Sequence, residues 1–216
     1  MVNDLAEQDV LEQLLENSKP DDGHPALHYL LSTPFRYPPL PWGSRFGAKH
    51  SRGLLYGSLS LATCAAETAY YRLVLWYGMA IAPPSGHIRS EHNAFTARYS
   101  SRRAIRLQLP PFNQHAASLQ QRHNYKSTQL LGSNMRDAGV ALFEFVSARC
   151  ANGGLNVALL EPAGLQDNQP GNLSHWLCET NADHVAFKQI DASGSRYFAF
   201  NNEQFLVNGT LPLPAA

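Results

Sequence analysis

The run Val140 to Val146, VALFEFV, turned back at Gly153-Gly154 into Leu155 to Leu160, constrains the fold more than any other feature of the chain. Seven residues with one charge, rich in aromatic and branched side chains, read as a buried strand, and the glycine pair supplies the turn into a second strand. A strand paired with its sequence neighbour is antiparallel, so the core sheet of this chain is expected to be antiparallel at its centre. Residues 184–190 and 196–200 predict a second hairpin around Ser193-Gly194-Ser195. Leu54 to Ser58 reads as a short strand. Ile105, Leu107 and Leu109 alternate with Arg106 and Gln108, which predicts a half-buried strand ended by Pro110-Pro111.

Helical signals are fewer. Ser60 is placed to cap a helix from about Ala62 to Tyr77, closed by Gly78, and a second helix is expected from Tyr125 to Asp137 with Gly139 as its stop. Residues 4–18 predict an amphipathic helix with Leu5, Leu11, Leu14 and Leu15 on one side, halted by the Lys19 to Gly23 segment. It reads as an acidic appendage, 1–27, that either caps the core of a domain spanning 28–216 or touches a partner. Residues 33–53 hold four prolines and three glycines, which exclude a long helix and predict a loop carrying Arg36, Arg45 and Arg52 among aromatic rings. Strands outnumber helices without regular βαβ alternation, so the class is α/β of the α+β kind rather than a doubly wound parallel sheet.

Composition narrows the function classes. The formal net charge is zero, which argues against direct nucleic-acid binding. Arg98, Arg102, Arg103 and Arg106 bunch locally and read as a solvated strand edge. Three cysteines with no CxxC pair give neither a disulfide framework nor a zinc site and suit a reducing, cytoplasmic setting. The acidic start lacks the features of a signal peptide, and no stretch reaches the ~20 apolar residues of a membrane span. Neither GxGxxG nor GxxxxGK[ST] occurs. Charged residues are only 16% of the chain, so much of the surface is expected to be either neutral polar or covered by a partner.

Glu67 stands out because helical spacing sets it beside Thr63, Tyr70, Tyr71 and Val74, and a carboxylate among aromatic rings is costly unless it is paired. It is either a functional acid or a structural partner of a tyrosine or arginine. Arg45 and Arg36 are suited to gripping phosphate or carboxylate, or they are surface residues. Tyr56, on the strand before the Glu67 helix, is a site residue or a core tyrosine. Ser147 shares strand parity with Ala141, Phe143 and Phe145, and its hydroxyl either serves a site or fills a small core space. No GxSxG elbow surrounds it. His87, His92 and Glu91 fall in a loop-like region with no metal-ligand spacing.

The order of these residues carries more than each alone. Gly43-Ser44-Arg45-Phe46, Leu55-Tyr56, Ala66-Glu67 and Val146-Ser147-Ala148-Arg149, with Tyr56 eleven residues from both Arg45 and Glu67, together resemble the RES domain. Phe35-Arg36-Tyr37, Leu130-Leu131-Gly132 and Gly154-Leu155-Asn156-Val157-Ala158-Leu159 extend the likeness over roughly residues 28–200. That resemblance implies a compact, mainly antiparallel split-sheet core similar to the ADP-ribosyltransferase fold. It also implies a toxin of a toxin–antitoxin pair that degrades NAD by cleaving its nicotinamide–ribose bond, as a glycohydrolase or a phosphorylase. NAD would be substrate, inorganic phosphate a co-substrate in the second case, and no prosthetic group would be needed. Catalysis would fall to Arg45, Tyr56, Glu67 and Ser147, and substrate binding to Arg36, Tyr37 and Asn156, with no metal. The implied partners are an Xre-like antitoxin and a second copy of the toxin. Two other classes stay open: an ADP-ribosyltransferase acting on a protein, and a catalytically silent binding module.

Overall fold

The apolar hairpin lies inside a four-stranded sheet. The computed structural model describes residues 5–18, 26–37, 42–190 and 196–213. In chain order the elements are α1 (Leu5–Ser18), α2 (Tyr29–Arg36), β1 (Leu55–Ser58), α3 (Leu61–Tyr77), β2 (Ile88–Thr96), β3 (Ala104–Arg106), α4 (Ala116–Leu119), α5 (Lys126–Asp137), β4 (Leu142–Val146), β5 (Leu155–Leu159), β6 (Gly171–Thr180), β7 (His184–Gln189) and β8 (Tyr197–Asn201). The first sheet runs β1-β5-β4-β3 and the second β2-β6-β7-β8. Every pairing is antiparallel except β3 with β4. The expected α+β class and antiparallel dominance therefore hold.

Local chemistry explains most of these elements. Ser60 caps α3 by accepting the Thr63 N–H at 3.2 Å. Gly139, at φ 72°, ends α5 and leads into the hairpin. Phe143 and Ala158, paired across β4 and β5, are fully buried. Phe46, Leu107, Met135 and Phe145 complete that core. α3 serves two layers. Its Ala65, Ala69, Tyr70 and Leu73 pack with Trp176, Cys178, Val185 and Phe187 of the second sheet, while its other side meets β1 and β5 of the first.

Several expectations needed correction. The strand expected over residues 105–109 stops at Arg106, because the Leu109 N–H turns back to Arg106 O at 3.1 Å; Leu107 is buried and Leu109 exposed. The region around His87 and His92 is not a loop: residues 88–96 form edge strand β2, whose half-buried positions include the polar Ser90 and His92. Hydropathy cannot show an alternation carried by polar residues. Ser90 Oγ and His92 Nε2 lie 2.9 Å apart, and burial, then the charge of Arg72, lowers the His92 pKa. The stretch 33–53 begins inside α2, a helix of two turns that contains Pro34. The described α1 side chains, residues 7–14, are all exposed, Leu11 and Leu14 included, so this stretch of the helix buries nothing against the core; Leu5 and Leu15 lie outside the described side chains. The Ser193 to Ser195 turn lies outside the described residues, although the strands it joins pair as expected. Among the described residues no helix is long and apolar enough to cross a membrane.

The arginine bunch is neutralised locally. Arg98 pairs with Asp167 at 2.6 Å, Arg103 with Glu161 at 2.6 Å and Arg106 with Glu144 at 3.3 Å. Such exposed pairs add little stability, but they cancel the field a polyanion would need.

Gly132 sets how closely α5 approaches the Arg45 loop. A Cβ there would collide with the backbone carbonyl of Phe46. Gly132→Ala should therefore destabilise the protein by about 1–3 kcal/mol despite alanine's better helix propensity. Denaturant unfolding checks this, and an unchanged or higher midpoint would refute the close approach.

Candidate active site

The sequence brings Glu67 to the hairpin through two independent anchors. The Ser60 cap fixes the start of α3, and Glu67 lies two turns further on, half-buried. On the hairpin, Asn156 stands opposite Phe145 and, across β1, opposite Ser58. Ser147 follows β4 directly. Glu67 Oε1 accepts from Ser147 Oγ at 2.6 Å and from Asn156 Nδ2 at 2.7 Å. Asn156 Oδ1 accepts in turn from Ser58 Oγ at 2.7 Å. Ser147 Oγ itself accepts from the Arg149 N–H at 3.1 Å and the Cys150 N–H at 2.9 Å. Among the described residues no hydrogen bond reaches Glu67 Oε2. One oxygen is thus locked and the other is unengaged among the described residues.

Glu67 lines a cleft of about 390 Å³, a size ordinary for small-molecule sites. Arg45, Tyr56, Tyr71, Tyr125, Phe145, Arg149 and Asn156 share the lining. A second cavity of about 500 Å³ adjoins it, sharing Tyr56, Gly57, Ser58 and Cys64 and otherwise walled mainly by apolar residues of β1, β2 and β5.

Of the residues expected in the site, Arg45, Tyr56, Glu67 and Asn156 line the cleft, and Ser147 sits behind Glu67 at 3% exposure. Arg36 and Tyr37 are not brought there. They stand at the end of α2, held near Gly53, where a Cβ would strike the carbonyls of Pro34 and Tyr37. Tyr125, Phe145 and Arg149 were not singled out as site residues from the sequence. Arg149 had one signal, its place two residues past Ser147 in the same strand-end motif; Tyr125 had none beyond opening a helix.

Tyr56 lines the cleft and is also tied into the protein through its hydroxyl. Its hydroxyl accepts the Phe46 N–H at 3.1 Å and lies 2.9 Å from Ser44 Oγ, which accepts the Gly47 N–H at 3.0 Å. The hydroxyl therefore pins the loop that carries Arg45, and the ring forms cleft wall. The residue is 38% exposed, but to a narrow cleft rather than open solvent. Burial remains the largest influence on its hydroxyl, pushing the pKa up to about 12 against the opposing pull of the Ser44 and Phe46 bonds and the Arg45 charge.

Tyr56→Phe should release the loop and cost about 1 kcal/mol of stability. The folded state holds the Tyr56 proton more tightly than the unfolded chain, with its ordinary value of 10.0. Stability should therefore be intact below pH 10 and fall as the pH rises from there towards 12. The decline should be shallower in Tyr56→Phe. An equal alkaline slope in the two proteins, measured by thermal melts, would exclude this placement of the hydroxyl.

No curated protein matches the chain. A model of the RES domain family matches residues 23–181, beginning slightly before and ending before the limits expected from the motifs. That match covers well over half of the chain and includes α2 through β6, and with them the Glu67, Ser147 and Asn156 constellation; the chain belongs to the RES domain family.

Proposed function

We propose that this protein consumes NAD by breaking the bond between nicotinamide and its ribose, as the toxin of a toxin–antitoxin pair. The observation that carries the reading is the half-locked Glu67 carboxylate: Oε1 is fixed by Ser147 and Asn156, and Oε2 is free on an aromatic cleft. Preorganised negative charge of this kind stabilises an oxocarbenium-like ribosyl centre without reorganisation during the reaction. The bond broken joins ribose C1′ to the pyridinium nitrogen, and its electron pair leaves with neutral nicotinamide, so no strong acid is needed. The new C1′–O bond is made to water, which releases a proton to solvent, or to inorganic phosphate. Tyr56, Tyr71, Tyr125 and Phe145 supply flat apolar surface for a planar ring. The adjoining 500 Å³ cavity gives a two-ended ligand room for its other half. The exposed α1, with Val10, Leu11 and Leu14 open to solvent, suits a surface covered by the antitoxin.

Glu67→Gln tests the chemistry. The amide oxygen can keep both hydrogen bonds, so the melting temperature should stay within a few degrees of wild type. NAD loss should fall by on the order of a hundredfold or more. Near-normal NAD consumption by the folded variant would retire the mechanism, and a labelled protein product in place of free ADP-ribose or its 1-phosphate would make the enzyme a transferase. Expression of the wild type alone should arrest growth, and Glu67→Gln should relieve it. Harmless high-level expression of an enzyme that consumes NAD in vitro would remove the toxin role.

A further inference from the structure

An open strand edge is a template for pairing with another chain, and proteins that stay single blunt their edges with charge, bulges or very short strands. The edges of the two sheets are β1 and β3 in the first and β2 and β8 in the second. β3 has three residues and carries Arg106. β2 carries Arg89 and Glu91, and its pairing shifts register between Ala94 and Thr96. β1 has four residues and lies in the wall of the 500 Å³ cavity. β8 has none of these protections. It reads YFAFN, without charge or proline, and it pairs with β7 in unbroken register. Tyr197 is 60% exposed, and Ala199 and Asn201 are exposed beside it.

The backbone of β8 is also matched to itself. The Gln189 N–H donates to Arg196 O at 3.0 Å, and the Asn202 N–H to Asp183 O at 2.8 Å. Antiparallel ladders bond every second residue, so Phe198 and Phe200 bond to β7 while the N–H and C=O groups of Tyr197, Ala199 and Asn201 face the open edge. Among the described residues no further strand pairs with them. The outward positions are symmetric about Ala199. A second copy of β8, antiparallel and centred there, sets Ala199 opposite Ala199, Tyr197 opposite Asn201 and Phe198 opposite Phe200. Every outward N–H then meets an outward C=O, whereas a slip of one residue would lose that match. The paired rings fall on the face where Phe198 and Phe200 already pack against the core. Charge agrees as well. Arg196 precedes the strand and Glu203 follows it, both exposed and without an ion-pair partner among the described residues. Antiparallel pairing brings Arg196 of each copy towards Glu203 of the other.

We propose that β8 is a self-pairing surface, through which two copies of this chain join edge to edge about Ala199 into one continuous sheet. The same patch serves both copies, so the contact closes at a dimer and does not propagate into a fibre. β8 stands at the opposite edge of its sheet from β2, the strand that lines the 500 Å³ cavity, so the pairing does not use that wall. The inference is independent of the chemistry assigned to the cleft.

Sedimentation of the full chain tests it. A strand pair of this length is a small interface, so a dimer with a Kd on the order of micromolar is expected, and wild type should pass from the mass of one copy to that of two between about 1 and about 100 µM. Ala199→Lys sets two like charges opposite each other at the symmetry axis. Ala199→Pro removes an outward N–H that β7 does not use. Each should raise the dimer Kd by about tenfold or more, while melting at low concentration stays close to wild type. Arg196→Glu should weaken the dimer too, and combining it with Glu203→Arg should restore it. Wild type that stays a single copy at the highest concentration leaves the edge to a different chain and overturns the proposal. A dimer whose Kd is unmoved by Ala199→Lys is built elsewhere and overturns it equally. Failure of the double reversal to recover what Arg196→Glu loses would overturn the antiparallel register. If Ala199→Pro does not fold, Ala199→Lys decides, because its side chain leaves from an exposed position on the face away from the core.

Discussion

The hydroxyl of Ser147 is the junction on which the site depends. It donates to Glu67 Oε1 and accepts from the Arg149 and Cys150 N–H groups. A serine oxygen offers one donor and two acceptor positions, and here all three are used. The two backbone groups it satisfies lie in the turn that leaves β4, where the sheet ladder no longer supplies acceptors. Each would cost about 1–3 kcal/mol if buried without a partner. The same atom that closes this backbone account also fixes the rotamer of the acid. Stability of the hairpin end and orientation of the carboxylate are thus one interaction.

α3 is the second constraint. An amphipathic helix ordinarily buries one stripe and exposes the rest. This one buries Ala65, Ala69, Tyr70 and Leu73 against the second sheet and still delivers Glu67 to the first. Small residues make that possible: Ala65, Ala66 and Ala69 are buried at nearly full contact. Tyr70 belongs to both layers, since it packs in the core while its ring underlies the Arg149 guanidinium. The cleft is consequently bounded by a helix that cannot shift without disturbing the core beneath it, which suits a preorganised electrostatic site.

Strong local signals were legible. The apolar hairpin, the Ser60 cap and the α5 stop at Gly139 each follow from backbone chemistry confined to a few residues, and the structure contains each of them. β2 was illegible because its inward positions are partly polar. The Ile105–Leu109 alternation misled because a hydrogen-bonded turn after Arg106 outweighed a three-residue hydrophobic rhythm.

By itself the sequence determined the antiparallel hairpin, the helix that carries Glu67, and the ordered residues Arg45, Tyr56, Glu67 and Ser147 that mark the RES family. Those depend on periodicity, capping and motif order, which are local or linear properties. Only the tertiary structure decided what each residue touches. It set Tyr56 to hold the Arg45 loop through its hydroxyl, left Arg36 and Tyr37 outside the cleft, and brought Arg149 and Tyr125 into it. Those outcomes depend on distances between segments up to a hundred residues apart, and on which buried polar groups find partners there. No spacing along the chain encodes that matching, because it is resolved only when the sheets and α3 pack together.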